Sequence, residues 1–593
     1  MIDRTTKLRW RRRLRRSKQQ VEDISVQAEE HIERHFFKRL NRLLNVRRFV
    51  ISWILLFGLL AGLVLYQTAG LENYYLSLQP TPGGTLNEGT VGAFTNANPI
   101  YAVNNIDISV SKLVFAGLFK YNSKNQLVGD LAQKWQVDKL GTSYKVTLRK
   151  NLLWQDGRPL TAKDVIFTYR TIQNPDANSP LLSSWKGIRL SSSNPRSVVF
   201  QLPSALSSFP HALTNGIIPK HLLDGVPMTQ MRSIAFNTAS PVGAGPFRWR
   251  AIEVQGDTVE DRVQRIGLLA NENYHSGKPN LNGFILNIFR NQEKLIESFK
   301  KREINAIAGL TSVPEGLGDQ LAIQVHNIPL ASEVLVFFKT SKGILKDVNV
   351  RRALLLATNT PKITESFEYP VAQANQPLLK GQLGYNARLK QASQNISKAK
   401  QLLQKAGWKT GGHNIRSKAG KDLIIKVYSQ ADSEYAGVTE IIQKQWRAVG
   451  VDAQVTLQAD ADLHTTIGSH DYDALVYGIT IGVDPDVYAY WHSSQLDIRS
   501  ANRLNFSEYK SNSADQALEA GRNRLIASVR REKYRQFLAA WRQDVPAIAL
   551  YQPRFLYITR GQLFGFKPRI LNTGPNRYDN VEDWMINQKK LPK

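Results

Sequence analysis

The sequence predicts an α/β protein of two or three lobes that follows a single membrane-spanning helix. Three observations support this: an uncharged apolar run near the N-terminus, a remainder of about 525 residues, and strand–helix–strand patterns in the C-terminal half. A segment of that length exceeds the size at which one hydrophobic core stops growing. Apolar residues make up 42% of the chain and include eleven Trp, which argues against disorder.

The apolar run covers residues 49–66 (FVISWILLFGLLAGLVLY) and carries no charge. As a helix it spans about 27 Å, close to the thickness of the hydrocarbon core of a bilayer. A cleaved signal peptide is the alternative, but its apolar region is ordinarily about 7–15 residues long and ends at a small-residue cleavage site. Because residues 65–70 (LYQTAG) offer only a poor site, we expect residues 49–66 to remain as an anchor.

The charged residues on each side of this run predict its orientation. Residues 1–48 hold fifteen Lys or Arg against six Asp or Glu, whereas no Lys or Arg occurs in residues 49–110. Because basic flanks stay in the cytoplasm, residues 1–48 are expected inside the cell membrane, with an amphipathic helix among them. Residues 67–82 are expected to be a tether, and the large C-terminal part is expected to be extracytoplasmic.

Composition and missing motifs exclude several functions. Cys is absent, which excludes disulfides, thiolate nucleophiles, cysteine-ligated zinc and a lipid anchor on an N-terminal cysteine. The chain also lacks the G-x-S-x-G, H-E-x-x-H and phosphate-loop motifs. We therefore expect no catalytic residues, no metal site and no cofactor. The net charge of +29 comes without a nucleic-acid-binding motif, so we interpret it as a surface property and expect no nucleic-acid partner.

The clearest local pattern in the exterior part is a strand, a turn and a capped helix. Residues 144–149 alternate between apolar and polar side chains, and Asp156-Gly157 suits a turn. Thr161 lies three residues before Asp164, a variant of the capping box, and Asn174-Pro175 is expected to end the helix. We interpret this segment as a fold element rather than a site.

The same segment, residues 153–165 (LWQDGRPLTAKDV), resembles the signature W-x-D-G-x-P-hydrophobic-T-A-x-D-V of the family-5 extracellular solute-binding proteins. These are oligopeptide- and dipeptide-binding subunits of bacterial ABC importers, with relatives for nickel and sugars. Further segments resemble the family in its own order: 243–247 (GAGPF), 271–279 (NENYHSGKP), 349–354 (NVRRAL), 399–408 (AKQLLQKAGW) and 472–491 (YDALVYGITIGVDPDVYAYW). The resemblance covers roughly residues 83–558.

Patterns in the second half agree with an α/β fold. Alternating segments at 451–457 and 472–477, and a strand-like segment at 423–428, surround a helical apolar stripe at 438–449. This spacing predicts parallel βαβ units.

The resemblance implies a periplasmic-binding-protein-like fold of type II, a three-part, two-lobed clamshell. On that basis lobe I is expected from residues 83–117, 241–329 and 546–593, a subdomain inserted in lobe I from 118–240, and lobe II from 330–545. Chain passages that act as hinges are expected near residues 118–121, 240–245, 328–333 and 544–546.

Ligands of such lobes lie at the carboxyl ends of strands and between lobes. Two loops are therefore candidate sites, and in the family the first of them pairs with an extended peptide by strand addition. The candidate ligand-binding residues are Phe94, Thr95 and Asn96 in the first loop, and Tyr477, Ile479, Thr480, Asp484, Tyr488, Trp491 and Asn505 in or after the second.

The second loop departs from the family pattern. Peptide binders commonly carry a Trp after the Gly and an Asp that pairs with the α-ammonium of the peptide. Here Ile479 occupies the Trp position, and Ile481-Gly482 stands about where the acid is expected. Asp484 either replaces that acid or forms a plain turn with Pro485. Tyr488 and Trp491 either stack on a ligand or fill the core.

The resemblance implies a non-enzymatic receptor that closes around a peptide or another small solute and delivers it to ABC permease and ATPase subunits. A sensor or scaffold in the cell envelope that keeps the fold without transport is the alternative. The basic ectodomain and the missing ammonium anchor favour that alternative.

Overall fold

The structure is a computed structural model that describes residues 47–258, 261–318, 320–369, 371–431, 433–497 and 503–592. The chain forms two units, one of residues 1–79 with 588–593 and one of residues 80–587. The amphipathic helix predicted within residues 1–48 falls almost wholly outside the described residues.

In chain order the strands are β1 (Leu76–Thr81), β2 (Thr85–Val91), β3 (Phe119–Tyr121), β4 (Leu127–Gly129), β5 (Ala132–Val137), β6 (Ser143–Leu148), β7 (Arg189–Asn194), β8 (Ser197–Gln201), β9 (Phe247–Gln255), β10 (Val263–Ala270), β11 (Gly283–Phe289), β12 (Ala306–Leu310), β13 (Ile323–Pro329), β14 (Ser332–Phe338), β15 (Ala372–Gln373), β16 (Lys409–Thr410), β17 (Arg416–Lys418), β18 (Lys421–Asp422), β19 (Ile424–Gln430), β20 (Asp452–Gln458), β21 (Ala474–Thr480), β22 (Ala547–Gln552), β23 (Arg554–Arg560) and β24 (Asn587–Pro592).

The α-helices of the described residues are α1 (Arg47–Tyr75), α2 (Asn105–Val114), α3 (Ala162–Gln173), α4 (Leu182–Trp185), α5 (Phe209–Ala212), α6 (Lys220–Leu223), α7 (Gln292–Lys300), α8 (Val348–Ala357), α9 (Thr360–Thr364), α10 (Ile396–Lys405), α11 (Glu434–Arg447), α12 (Asp460–Ser469), α13 (Tyr488–Trp491), α14 (Asn512–Asn523) and α15 (Ala527–Asp544).

The first unit contains the long apolar helix α1. Its segment Phe49–Gln67 has a mean hydropathy of 2.4 and is long and apolar enough to cross a membrane. The helix continues past the predicted end at residue 66 to Tyr75, and β1 then pairs with β24. The predicted tether (67–82) is thus mainly helix and strand. Between residues 67 and 75 Gly70 is the residue that most disfavours a helix, and one glycine costs only about 1 kcal/mol.

Lobe I is built on a seven-stranded sheet in the order β13-β23-β12-β2-β11-β10-β9. Strand β2 lies parallel to both β11 and β12, so the carboxyl ends of these three strands lie at the same edge of the sheet.

The inserted subdomain carries a four-stranded sheet in the order β5-β6-β8-β7. Helix α3 begins at the predicted capping box of Thr161 and Asp164 and ends before Asn174, which confirms that local prediction. Gln155, from the family-like signature, binds the backbone of lobe I: its side chain accepts from Gly243 N–H at 2.9 Å and donates to the carbonyl of Phe247 at 2.7 Å. The signature is therefore a fold element.

A close backbone approach explains the glycines of the GAGPF segment. The N–H of Gly245 donates to the carbonyl of Val114 at 2.8 Å. A Cβ atom on Gly243 would lie 2.0 Å from the same carbonyl oxygen, so no larger residue fits there.

Lobe II is built on a six-stranded sheet in the order β15-β22-β14-β21-β19-β20. Strand β19 lies parallel to β20 and to β21, and α11 connects β19 to β20, which confirms the predicted βαβ pattern. All residues of β14 are buried, and alternate side chains enter hydrophobic cores on the two faces of the sheet.

Two chain passages join the lobes, between β13 and β14 and between β22 and β23. The first agrees with the predicted passage at residues 328–333. The second corrects the prediction: the chain crosses at Pro553 rather than at residues 544–546, because β22 pairs with β14 of lobe II. The two passages are hydrogen-bonded, since Leu330 N–H donates to the carbonyl of Pro553 at 2.9 Å. The predicted passages at 118–121 and 240–245 instead join the inserted subdomain to lobe I.

Candidate functional site

The candidate site is the space between the carboxyl ends of strands from both lobes. Segments that follow β12 of lobe I and β19 of lobe II border the same open groove of about 900 Å³. This volume lies in the range of about 300–1,000 Å³ that is common for small-molecule sites. The groove is lined by Thr311, Ser312, Ser366, Phe367, Glu368, Tyr369, Ala431, Ser433, Glu434, Ala436, Gly437, Val438, Glu440, Ile441 and Leu457.

Glu434 is the acidic residue of the groove whose carboxylate is held by two tyrosine hydroxyls. It is the first residue of α11, which is capped by Ser433. The hydroxyl of Tyr551 donates to its Oε1 at 2.7 Å, and the hydroxyl of Tyr369 donates to its Oε2 at 2.9 Å. Burial, followed by the charge of Glu434, raises the pKa of both tyrosines well above the ordinary range. Both phenols therefore stay protonated and hold the carboxylate in place.

The first predicted loop is bound within lobe I. Gln264 accepts from the N–H of Phe94 at 2.9 Å, and buried Asp107 accepts from the N–H groups of Thr95 at 2.8 Å and Asn96 at 3.1 Å. These three amides are therefore already paired. Phe94 and Asn96 are buried, whereas Thr95 is exposed.

The end of β21 carries the next three candidate residues. Tyr477 is partly exposed and its ring lies 6.5 Å from that of Tyr435, the residue after Glu434 in α11. Ile479 is buried, and Thr480 is exposed and accepts from the hydroxyl of Ser332 at 3.3 Å. These residues lie beside the start of α11 and belong to the same edge of the sheet as the groove.

Asp484 is held by an ion pair that the sequence did not predict. One nitrogen of Arg530, Nη2, lies 2.7 Å from Oδ1 and 2.9 Å from Oδ2 of Asp484. Burial alone lowers the pKa of Arg530, but the hydrogen bond and the charge of Asp484 outweigh it and raise the pKa above the ordinary value. His211 of the inserted subdomain lies 3.9 Å from Asp484, and burial lowers its pKa more than that carboxylate raises it.

The last three candidates are packed into lobe II. Trp491 is fully buried between Phe337 and Trp541, with ring centroids 5.6 and 5.8 Å away. Tyr488 is partly exposed and stacks between Arg522 and His492. Asn505 is fully buried and makes three hydrogen bonds to backbone groups. Among the described residues no group of three or more His, Asp or Glu is placed to hold a metal ion.

Comparison with known proteins decides the family. Residues 126–501, more than half of the chain, match the model of the bacterial extracellular solute-binding proteins, family 5 (middle region). The chain belongs to family 5. The oligopeptide-binding protein AppA of Bacillus subtilis is 25% identical over 86% of this chain and 92% of its own length.

Solved structures of similar proteins share the family-5 fold. NikZ from Campylobacter jejuni, in complex with Ni(L-His), has a TM-score of 0.70 and 25% identity over 84% of this chain and 99% of its own. AppA from Bacillus subtilis, in complex with a nonapeptide, has a TM-score of 0.69 and 24% identity over 86% of this chain and 100% of its own. The relatives are binding proteins, and no enzyme family is indicated.

The sequence prediction for this family-5 protein missed Glu434, Tyr369 and Arg530. One signal was available for Glu434, because it follows the strand-like segment 423–428 and begins a helix, a usual position for ligand-binding residues in α/β sheets. No local pattern marks Arg530, whose partner lies 46 residues away in the chain.

Proposed function

We propose that this protein is a membrane-anchored extracytoplasmic receptor of an ABC importer that binds a peptide or a peptide-like solute. The observation that carries the proposal is the groove of about 900 Å³ between two lobes, which in the described part of the chain are joined by two passages. Such a joint permits rigid lobes to open and close around a solute. The ligand class is supported by the relative AppA, named as an oligopeptide-binding protein.

The anchor is part of the proposal. The helix that contains Phe49–Gln67 is long and apolar enough to span a bilayer. Basic residues are concentrated before it, in residues 1–48, which supports a cytoplasmic N-terminus and an exterior binding domain. The protein would then stay at the membrane beside its permease.

Closure is the mechanism that we propose for delivery. Ligand contacts both lobes and stabilises the closed form, and a permease then selects that form. Several contacts between the inserted subdomain and lobe II support closure, among them the bond from the hydroxyl of Ser208 to Asp486 at 2.8 Å. The N–H of Ser207 also donates to the carbonyl of Arg522 at 2.8 Å.

Mass spectrometry of small molecules that copurify with the detergent-solubilised protein tests the ligand class. We expect peptides, and their addition to ligand-free protein should reduce the radius of gyration in X-ray scattering. An unchanged radius with a bound ligand demonstrated in the same sample would contradict the closure mechanism.

A second function, that of an envelope sensor or scaffold, is favoured by the Asp484–Arg530 pair. Because Arg530 already neutralises Asp484, this carboxylate is not free to bind the α-ammonium of a peptide. Copurification discriminates the two functions: a receptor for import is expected to bring permease and ATPase subunits with it, whereas a scaffold is not.

A further inference from the structure

The charge of the groove is opposite to the charge of the whole chain. The chain has a formal net charge of +29. The charged side chains that line the groove are nevertheless all acidic: Glu368, Glu434 and Glu440. Among the described residues that line it there is no Lys, Arg or His. Because the groove of so basic a chain contains acidic but no basic side chains, it favours a positively charged ligand.

The contacts of Glu434 leave part of its carboxylate available. Its two phenol partners, Tyr369 and Tyr551, each use one oxygen, and a carboxylate accepts about four hydrogen bonds. No described Lys, Arg or His forms an ion pair with Glu434; the nearby Arg554 acts on Tyr369 and donates to the carbonyl of Asn327 at 3.3 Å. Glu368 and Glu440 are exposed to solvent at the same groove.

Two aromatic side chains, Phe367 and Tyr369, line the groove beside these carboxylates, and the buried Tyr551 packs behind Phe367. The ring of Phe367 lies 5.7 Å from that of Tyr369 and 4.8 Å from that of Tyr551. Aromatic faces attract cations by about 0.5–2 kcal/mol, and a carboxylate beside them adds charge-assisted hydrogen bonds. Both features favour the same partner, an ammonium or a guanidinium group.

We propose that the groove binds an organic cation, and that the natural solute is a peptide or peptide-like molecule with a basic side chain. For the location of the site, this inference rests on the proposed function. The groove and the fold support that location. The carboxylates and aromatic rings decide only the ligand class. Glu434 makes the principal contact to the cationic group, with Glu368 and Glu440 adding negative potential at the mouth.

A matched pair of ligands tests the charge alone. Citrulline carries a neutral urea group where arginine carries a guanidinium, with nearly the same shape. Full-length protein in detergent would be titrated by calorimetry with Ala-Arg-Ala and Ala-citrulline-Ala, both acetylated at the N-terminus so that neither carries an α-ammonium, and with the peptide-free cation agmatine. We expect Ala-Arg-Ala to bind at least about tenfold more tightly than Ala-citrulline-Ala, the range for hydrogen bonds to a charged group.

The variant Glu434→Gln tests whether the groove is responsible for this preference for arginine over citrulline. It keeps an acceptor oxygen for one of the two phenols and removes the charge, so we expect the arginine preference to fall about tenfold while the affinity for Ala-citrulline-Ala changes little. The control is Glu365→Gln, an exposed glutamate of the same lobe that does not line the groove. If Glu434→Gln fails to fold, the double variant Glu368→Gln/Glu440→Gln, at exposed positions, replaces it.

The outcomes separate this inference from the proposed function. Equal binding of the two tripeptides, or an unchanged preference in Glu434→Gln, overturns the cationic specificity and leaves a peptide receptor. Binding of agmatine without either tripeptide supports the cationic groove and overturns the peptide class. If none of the three ligands binds, the cationic specificity is wrong, and the copurified small molecules then decide the proposed function separately.

Discussion

Arg530 Nη2 contacts both carboxylate oxygens of Asp484, at 2.7 and 2.9 Å, inside lobe II. The side chains are only 9% and 12% exposed. Asp484, which the sequence suggested as a possible ligand anchor, is therefore part of an internal ion pair. Its consequences for stability and ligand choice can be measured.

We expect Arg530→Met to lower the free energy of unfolding by about 3–5 kcal/mol, because it leaves the carboxylate of Asp484 buried without a cation. Urea unfolding followed by tryptophan fluorescence measures this. Arg535→Met is the control on the same helix, since Arg535 pairs with Glu532 at the surface and should cost less than about 1 kcal/mol. Equal effects of the two variants would show that the Asp484 pair is not stabilising.

The contact between Ser208 and Asp486 is expected to favour the closed form. The chain contains no Cys, so spin labels can be placed uniquely at Leu140→Cys and Ile526→Cys, two exposed positions next to the contact of Gly141 with Leu525. Ser208→Ala should raise the ratio of open to closed distances about tenfold. The exposed Ser193→Ala in the same subdomain should leave that ratio unchanged, and a similar shift in both variants would refute the assignment.

The buried Glu333 is expected to make the free energy of unfolding fall as the pH rises. It is fully buried in β14, and neither carboxylate oxygen receives a hydrogen bond from a described residue. Burial raises its pKa well above the ordinary value. The folded protein therefore binds a proton that the unfolded chain releases above about pH 4.3. Stability from this group is full below that pH and is lost as the pH rises through the folded-state pKa.

We expect Glu333→Leu to raise the free energy of unfolding at pH 7 by about 1–3 kcal/mol, the cost of an unpaired buried polar group. The gain should shrink toward pH 4. Urea unfolding at several pH values measures it, with the exposed Glu365→Leu as the control. A loss of stability at pH 7 would mean that Glu333 has a stabilising partner.

Asn505 was a candidate ligand-binding residue, but its hydrogen bonds predict that it stabilises the fold instead. Its side chain donates to the carbonyls of His492 and Tyr509 and accepts from the N–H of Tyr509. We expect Asn505→Ala to cost about 3 kcal/mol of unfolding free energy, because buried partners lose their hydrogen bonds. The exposed Asn273→Ala should cost less than about 0.5 kcal/mol. Unchanged stability with weaker ligand binding in Asn505→Ala would restore the binding role.

The apolar helix is expected to hold the protein in the membrane. After alkaline carbonate extraction the protein should stay in the membrane pellet with the mass of the uncleaved chain. Leu59→Arg, near the middle of the span, costs about 2.5–3.5 kcal/mol of insertion free energy and should release part of the protein. Leu78→Arg, outside the span, should not. A cleaved N-terminus would identify the helix as a signal peptide.

The sequence alone determined the features that depend on near neighbours in the chain. The apolar run at 49–66, the capping box at Thr161 and the alternation around α11 each follow from side-chain spacing over a few residues. The motifs were sufficient to predict the family and its α/β, periplasmic-binding-protein-like fold.

Only the tertiary structure decided which distant residues meet. Strand β22 joined lobe II because its partner β14 lies there, which moved the second passage to Pro553. Asp484 acquired Arg530, and Glu434 acquired Tyr551 from 117 residues away. Such partners are fixed by sheet register and by helix packing across the lobe. Spacing along the chain carries no information about them, so the charge that remains free in the groove could not be predicted from the sequence.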